Sequence, residues 1–329
     1  MKVLVFGSRD DEMQYFDIQN KNYNFEFTFI KGALTLDNIQ MTKGYDAVWI
    51  VTICKITEEV AQKLKENDVK YIVSRAAGAD HMDLLAIKEC GLKASNVPFY
   101  SPNAISEHTV LLVLMALRHM KREMKMIDEQ VFTLDGLKGR ELRMMKVGVI
   151  GTGRIGIETV KILKGFGCEI MAYDTYPQES VEAYASYETI DTIFKESDVL
   201  IFHCPLTEHN YHMICKETIS KLKKGVCLIN TARGGLFDYA AVLDGLKEGQ
   251  IGALAFDVYE YESVFLRKNF SNDKIQDEVF QELISMENVI YTSHMSFYTD
   301  KAVESMISVS LENLYEYDTT GQCKNELIK

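Results

Sequence analysis

Short apolar runs alternate with amphipathic stretches along the first hundred residues. Lys2 to Phe6 reads as a buried strand and Asp46 to Val51 as a second. Thr57 to Asn67 carries Val60, Ala61 and Leu64 on one side, the period of a helix. Val69 to Val73, entered through Asn67-Asp68, predicts another strand, and Asp83 to Cys90 a helix stopped by Gly91. Strand, helix, strand in this rhythm implies a parallel sheet covered by helices.

Ser101-Pro102-Asn103 breaks the pattern, because proline disfavours helix before it and starts one well. From Ala104 to Lys125 the spacing of Val110, Leu114 and Leu117 predicts one long helix. After a weaker boundary at Gly136 to Gly139, Lys146 to Ile150 opens a second alternation of strand and helix lasting to about Thr292. Asp300 to Tyr317 is helical by the spacing of Val303, Ile307, Leu311 and Leu314. The layout is two α/β domains with doubly wound parallel sheets. Residues 1–100 with 300–329 form one and 101–299 the other, and the C-terminal tail folds back onto the first. No internal repeat stands out.

At 329 residues two domains are the default expectation, since a single core stops growing below that length. The net charge of −12 disfavours nucleic acid and anionic membranes, both of which select basic patches. It leaves open a small anionic substrate, which a few local cations decide. The longest apolar run, Thr109 to Leu117, is about half the roughly 20 residues of a membrane span. The N-terminal apolar run is too short for a signal peptide. Seven cysteines, odd in number and without a CxxC pair, read as reduced thiols in the cytoplasm. His209 and His212 lack a third ligand at helical spacing, so no metal site is expected.

The strongest local signal follows Val147 to Ile150. There Gly151-Thr-Gly153-Arg-Ile-Gly156 leads into an amphipathic helix, Ile157 to Phe166. The first glycine permits a tight turn, the second lets a pyrophosphate reach the backbone, and the third lets helix and strand pack closely. The helix N-terminus supplies free amides and partial positive charge. Alone the spacing is weak. The setting strengthens it, because the next strand, Glu169 to Tyr173, ends in Asp174, where a carboxylate accepts the adenosine ribose hydroxyls and repels a 2′-phosphate. NAD is therefore expected over NADP.

Three more predicted strands end in polar residues. Val226 to Asn230 leads into Thr231-Ala232-Arg233-Gly234-Gly235, Ala253 to Phe256 into Asp257-Val258-Tyr259-Glu260-Tyr261-Glu262, and Val289 to Thr292 into Ser293-His294. Ligands of doubly wound sheets sit beyond the carboxyl ends of strands, so arginine, glutamate and histidine should meet at the cofactor's crevice. An ordinary ion-pair role for Arg233 and an ordinary buried role for His294 are the competing readings. Glu260 and Glu262 cannot be told apart by spacing.

With GTGRIG at 151–156, HCPLT at 203–207, NTARGGLFD at 230–238, FDVYEYE at 256–262 and His294, the chain resembles the D-isomer-specific 2-hydroxyacid dehydrogenases over essentially its full length. SRAAGADHMD at 74–83 and PFYSPNAISEHT at 98–109 resemble the branch of D-lactate, D-2-hydroxyisocaproate and phenyllactate dehydrogenases. The resemblance implies a Rossmann NAD-binding domain inserted into a flavodoxin-like substrate domain. It implies hydride transfer between NAD(H) and C2 of a small 2-oxo or 2-hydroxy acid, with (R) stereochemistry.

By the same resemblance Arg233 grips the substrate, His294 is the general acid and base, and Glu262 orients it. Backbone amides at Ala77 and Gly78 receive the carboxylate and Tyr100 lines the pocket. Arg154, Ile155, Cys204, Pro205, Asn210, Thr231, Ala232 and Asp257 contact the cofactor. His81, His108, His119 and His203 read as structural, and Cys204 as a packing residue.

A second substrate carboxylate would call for a cation near Val51-Thr52-Ile53-Cys54, and that stretch holds none, although Lys55 is close. A branched or aromatic 2-oxo acid such as 2-oxoisocaproate is the expectation. D-lactate dehydrogenase acting on pyruvate is the nearest alternative, and an NAD(H)-sensing binding protein the alternative of another class. Formate or phosphite fits the resemblance less well. A homodimer is expected, because the helix from Ala104 to Met120 is apolar on more than one face and resembles the family's dimer-forming element.

Overall fold

The computed structural model describes residues 1–328, and the chain divides into two compact units. One is Met1–Ser101 together with the segment from Tyr298 onward, and the other is Pro102–Phe297.

In the first unit, β1 (Lys2–Phe6), β2 (Glu26–Ile30), β3 (Ala47–Ile50), β4 (Tyr71–Ser74) and β5 (Lys93–Ser95) form a parallel sheet of order β2-β1-β3-β4-β5. This is the flavodoxin-like order. Its helices start at polar caps, with Thr57, Asp83 and Thr299 accepting from backbone amides three residues on. β2 carries no clear mark in the apolar pattern because it is an edge strand with only one covered face. Phe27 and Phe29 pack there against Phe16, and Phe27 also reaches Trp49. The final helix runs Asp300–Thr320 and stops at Gly321, whose φ of 70° is left-handed. The tail then returns to β5, with Leu327 N–H donating to Ala94 O at 2.8 Å.

In the second unit, β6 (Lys146–Ile150), β7 (Glu169–Tyr173), β8 (Ser186–Tyr187), β9 (Val199–Phe202), β10 (Val226–Asn230), β11 (Ile251–Phe256) and β12 (Val289–Tyr291) form a parallel sheet ordered β12-β11-β10-β9-β6-β7-β8. The order reverses between β6 and β9, the Rossmann switch point. Both faces are covered: Leu200 and Phe202 pack on one side, Val199 and Ile201 on the other. Strands buried on two faces read as continuous apolar runs, as β6, β7, β10, β11 and β12 do, whereas β8 and β9 are not among the strands that the sequence pattern singles out.

The single helix expected over 104–125 is two helices, Pro102–Leu117 and Met120–Asp128. His119, at φ 52°, separates them. The cause is tertiary. Leu117 O accepts Arg140 N–H at 3.0 Å, so the carbonyl that would continue the helix is taken. Beyond the break, Lys121 Nζ donates to the carbonyls of Ile284, Met286 and Val289 at 2.6, 2.7 and 2.8 Å, capping the helix Glu278–Ser285.

Candidate active site

The turn after β6 meets the three demands that a dinucleotide places on it. Gly151 sits at φ 94°, and a Cβ there would lie 2.5 Å from Cys204 N. A Cβ on Gly156 would lie 2.0 Å from Gly151 O, so helix and turn can touch only without a side chain. Around Gly153 no atom lies within 4 Å of the Cβ position, which leaves the open approach a pyrophosphate needs. No side chain caps the helix Arg154–Lys164, so the N-terminal turn that includes Ile155 keeps amides for an anion. These residues fit the group.

Asp174 follows β7 and is tied to this turn. Its Oδ2 accepts Thr152 N–H at 2.6 Å and Thr152 Oγ1 at 3.1 Å, while Oδ1 accepts Tyr176 N–H at 2.9 Å. A carboxylate fixed beside the phosphate turn suits a ribose diol. Asp174→Ala is expected to raise the Kd of NADH by about tenfold, the worth of one charge-assisted hydrogen bond. NADPH should lose less, because its 2′-phosphate repels the native carboxylate. Fluorescence titration of both nucleotides measures this, and equal losses would refute the ribose assignment.

Behind the turn, His203 Nε2 meets Thr159 Oγ1 at 2.8 Å, and burial pushes its pKa down to about 3, so it stays neutral. Burial raises the Cys204 thiol to about 11, which makes it a packing group and not a nucleophile. Asn210 folds the next loop on itself, donating to Pro205 O at 2.7 Å and accepting Thr207 N–H at 2.7 Å.

Three loops follow β10, β11 and β12 at the same edge of the sheet. Asn230 shapes the first, with Nδ2 donating to Arg233 O at 2.9 Å and Oδ1 accepting Ala232 N–H at 3.1 Å. Thr231 Oγ1 anchors this loop to Thr109 Oγ1 at 2.8 Å. Gly234 must be glycine because a Cβ would lie 2.3 Å from Glu260 N. Arg233 is half-buried, with Nη1 donating to Ala232 O at 2.8 Å.

Asp257, at the end of β11, is buried and fully engaged. Its carboxylate accepts Thr292 Oγ1 at 2.6 Å and the amides of Met295 and Ser296 at 2.9 Å each. Its carbonyl accepts His294 N–H at 2.8 Å. Asp257 therefore builds the turn that carries His294. His108 supports the same turn through Thr292 Oγ1 at 3.0 Å, and burial lowers its pKa.

His294 Nδ1 lies 2.5 Å from Glu262 Oε1, with the ring 25% and the carboxylate side chain 16% exposed. A carboxylate only accepts, so Nδ1 carries the shared hydrogen and Nε2 is the ring nitrogen that Glu262 does not engage. Glu262 is itself held by Tyr259 N–H at 2.9 Å. Geometry thus separates the two glutamates that spacing could not. Glu260 is occupied by Tyr211 OH at 2.6 Å and His212 Nε2 at 3.0 Å.

In the first unit, Ala77 and Gly78 follow β4. Ala76 O accepts Val97 N–H, and Ala77 O accepts Asn96 Nδ2 at 2.6 Å. In a trans peptide the N–H opposes the C=O, so anchoring the Ala77 carbonyl aims the Gly78 amide away from Asn96. Arg75, buried, braces this loop by donating to Glu12 Oε2 at 2.7 Å and Gly7 O at 3.1 Å. Tyr100 is half-buried in the stretch after β5. Asn96, Arg75 and Asn230 shape these loops and carry no sequence signal beyond a polar residue at a strand end, while Asp257, expected at the cofactor, has its carboxylate in the turn that carries His294.

Residues 110–296 match the family model described as "D-isomer specific 2-hydroxyacid dehydrogenase, NAD binding domain". The whole chain is 40% identical to an aromatic 2-oxoacid reductase of Clostridium sporogenes, covering 100% of this chain and 99% of that one. It is 38% identical to a D-lactate dehydrogenase of Escherichia coli, covering both chains fully. The structure of a D-2-hydroxyisocaproate dehydrogenase superposes with a TM-score of 0.88 at 33% identity, again over the full length of both. With its glycine turn, its Arg233 loop and its His294–Glu262 pair on one Rossmann sheet, the chain belongs to the D-isomer-specific 2-hydroxyacid dehydrogenases, and it is an NAD-dependent oxidoreductase.

Proposed function

We propose that this enzyme reduces 2-oxo acids with a branched or aromatic side chain, 2-oxoisocaproate among them, to the (R)-2-hydroxy acids. The observation that carries the reading is the 2.5 Å contact of His294 Nδ1 with Glu262, on the sheet edge that also bears Arg233. Bound NADH supplies the hydride for C2. His294 Nε2 gives the proton to the keto oxygen, leaving a neutral imidazole that solvent recharges. Glu262 holds the ring in one orientation through Nδ1. Arg233, with a planar fork of donors, grips the carboxylate and polarises the carbonyl. Oxidation runs the same steps backward.

The Ala77 and Gly78 amides and Tyr100 are assigned to the substrate on the family resemblance of residues 74–83 and 98–109. Arg154, Ile155, Pro205, Thr231 and Ala232 are assigned to the cofactor's walls. An apolar side chain is favoured because residues 51–54 carry no arginine, and because two of the relatives are named for aromatic and isocaproate substrates. Comparing kcat/KM for pyruvate, 2-oxoisocaproate, phenylpyruvate and 2-oxoglutarate tests the assignment. A win for 2-oxoisocaproate or phenylpyruvate supports it. A win for pyruvate moves the enzyme to D-lactate formation, and a win for 2-oxoglutarate ends the apolar reading. Failure to consume NADH with any of them would favour a nucleotide sensor.

We assign the enzyme to the cytoplasm on its seven free cysteines, and among the described residues no helix is long and apolar enough to cross a membrane. We also assign it a homodimer. Met124, Ile127, Val131, Phe132 and Leu134 are 56, 48, 39, 80 and 85% exposed along one stretch of chain, apolar side chains that a second copy would cover. Sedimentation equilibrium is expected to give twice the chain mass, and a monomer at micromolar concentration would refute it.

A further inference from the structure

His294 is held in a left-handed backbone conformation, at φ 51°. Among the described residues other than glycine, only Asn24, Asp68, His119, Gln130, His212 and Arg267 also have positive φ. Arg267 has the longest side chain of these, with no short polar group to satisfy its own backbone there. Two of these seven, Arg267 and His294, are bonded to each other. Arg267 Nη2 donates to His294 O at 2.9 Å and Nη1 to Ser293 O at 3.2 Å. Strain that the surroundings maintain is a pointer to function.

The chain between these contacts explains how they are maintained. Glu262 opens the short turn Glu262–Val264, Phe265 and Leu266 follow, and Arg267 ends the segment. Leu266 N–H closes on Glu262 O at 2.7 Å. Phe265 and Leu266 are each 7% exposed, and Phe265 packs on Phe280 with ring centroids 4.4 Å apart. The segment is therefore nailed to the core in its middle and grips His294 at both ends, the ring by Glu262 and the backbone by Arg267.

We infer that Arg267 is a positioning residue for the reaction: its guanidinium fixes the Ser293–His294 peptide so that the imidazole stays on Glu262 with Nε2 turned to the substrate. This deepens the function proposed above and rests on it for the turnover measurements. Arg267 is exposed and distant in sequence from both the glycine turn and Arg233, so its removal should spare folding and nucleotide binding.

The test uses the full-length enzyme with Arg267→Ala, Arg267→Gly and Arg267→Lys. The first two are expected to lower kcat about tenfold, with the Kd of NADH within twofold and Tm nearly unchanged. Glycine adopts positive φ freely, so an equal loss in Ala and Gly assigns the effect to the side chain and not to the backbone. Lysine, a single point donor, should restore part of kcat. A second readout needs no turnover: the rate at which diethyl pyrocarbonate modifies His294, followed by peptide mass mapping, should rise severalfold in the Ala and Gly variants as the ring leaves Glu262. Unchanged kcat in both, a full kcat in Arg267→Gly, a loss matched by weaker NADH binding, or an unaltered His294 modification rate would each overturn the inference. If the wild type reduces no 2-oxo acid, the proposed function fails, and the modification rate alone decides the role of Arg267.

Discussion

His294→Gln should lower kcat for 2-oxo acid reduction by about a thousandfold while leaving the Kd of NADH within twofold. Glutamine approximates the reach of the imidazole and can still bond Glu262, but it has no proton to give at neutral pH. Proton transfer by a positioned side chain contributes typically 10²–10⁴-fold, so a loss of that order is the cost of removing the acid alone. NADH should be spared because His294 lies beyond β12, and the glycine turn beyond β6, at opposite sides of the switch point. Steady-state kinetics and fluorescence titration measure the two quantities. An unchanged kcat would remove His294 from the chemistry, and a parallel loss of NADH binding would make it a structural residue.

Arg233→Lys should lower kcat/KM by roughly 10²–10³-fold, and Arg233→Gln by more. Two charge-assisted hydrogen bonds at about 1.5–3 kcal/mol each define the scale. Lysine keeps the charge but loses the planar fork. Because the guanidinium is assigned both the carboxylate and the developing charge on the keto oxygen, KM should rise and kcat should fall. A rise in KM alone would confine Arg233 to substrate binding. Neither change would return it to the ordinary ion-pair reading.

Most of the two sheets was legible because their strands are buried on both faces and flanked by glycine, proline and polar caps. The glycine turn was legible because each of its three glycines answers a separate steric demand. What escaped was decided by contacts distant in the chain. Nothing near Arg118 and His119 announces that Arg140 will take the Leu117 carbonyl and end the helix. β2 covers one face with alternating phenylalanines, too short a signal to stand out. Glu260 and Glu262 differ only in which side of a tight turn they occupy, and the hydrogen bond from Tyr259 N–H settles it in space. Asp257 hides its role in the turn that it folds around Thr292 and Ser296. Arg267 lies in a loop whose composition predicts nothing, and only its contact with the His294 carbonyl marks it.

The most direct measurement is a crystal structure of the enzyme with NADH and oxamate, a 2-oxo acid isostere that does not accept hydride. The account predicts the oxamate carboxylate on Arg233, its carbonyl oxygen within hydrogen-bond distance of His294 Nε2, and the nicotinamide C4 facing its C2. Oxamate bound with Arg233 and His294 both out of reach of it and of the nicotinamide would contradict the account at its centre.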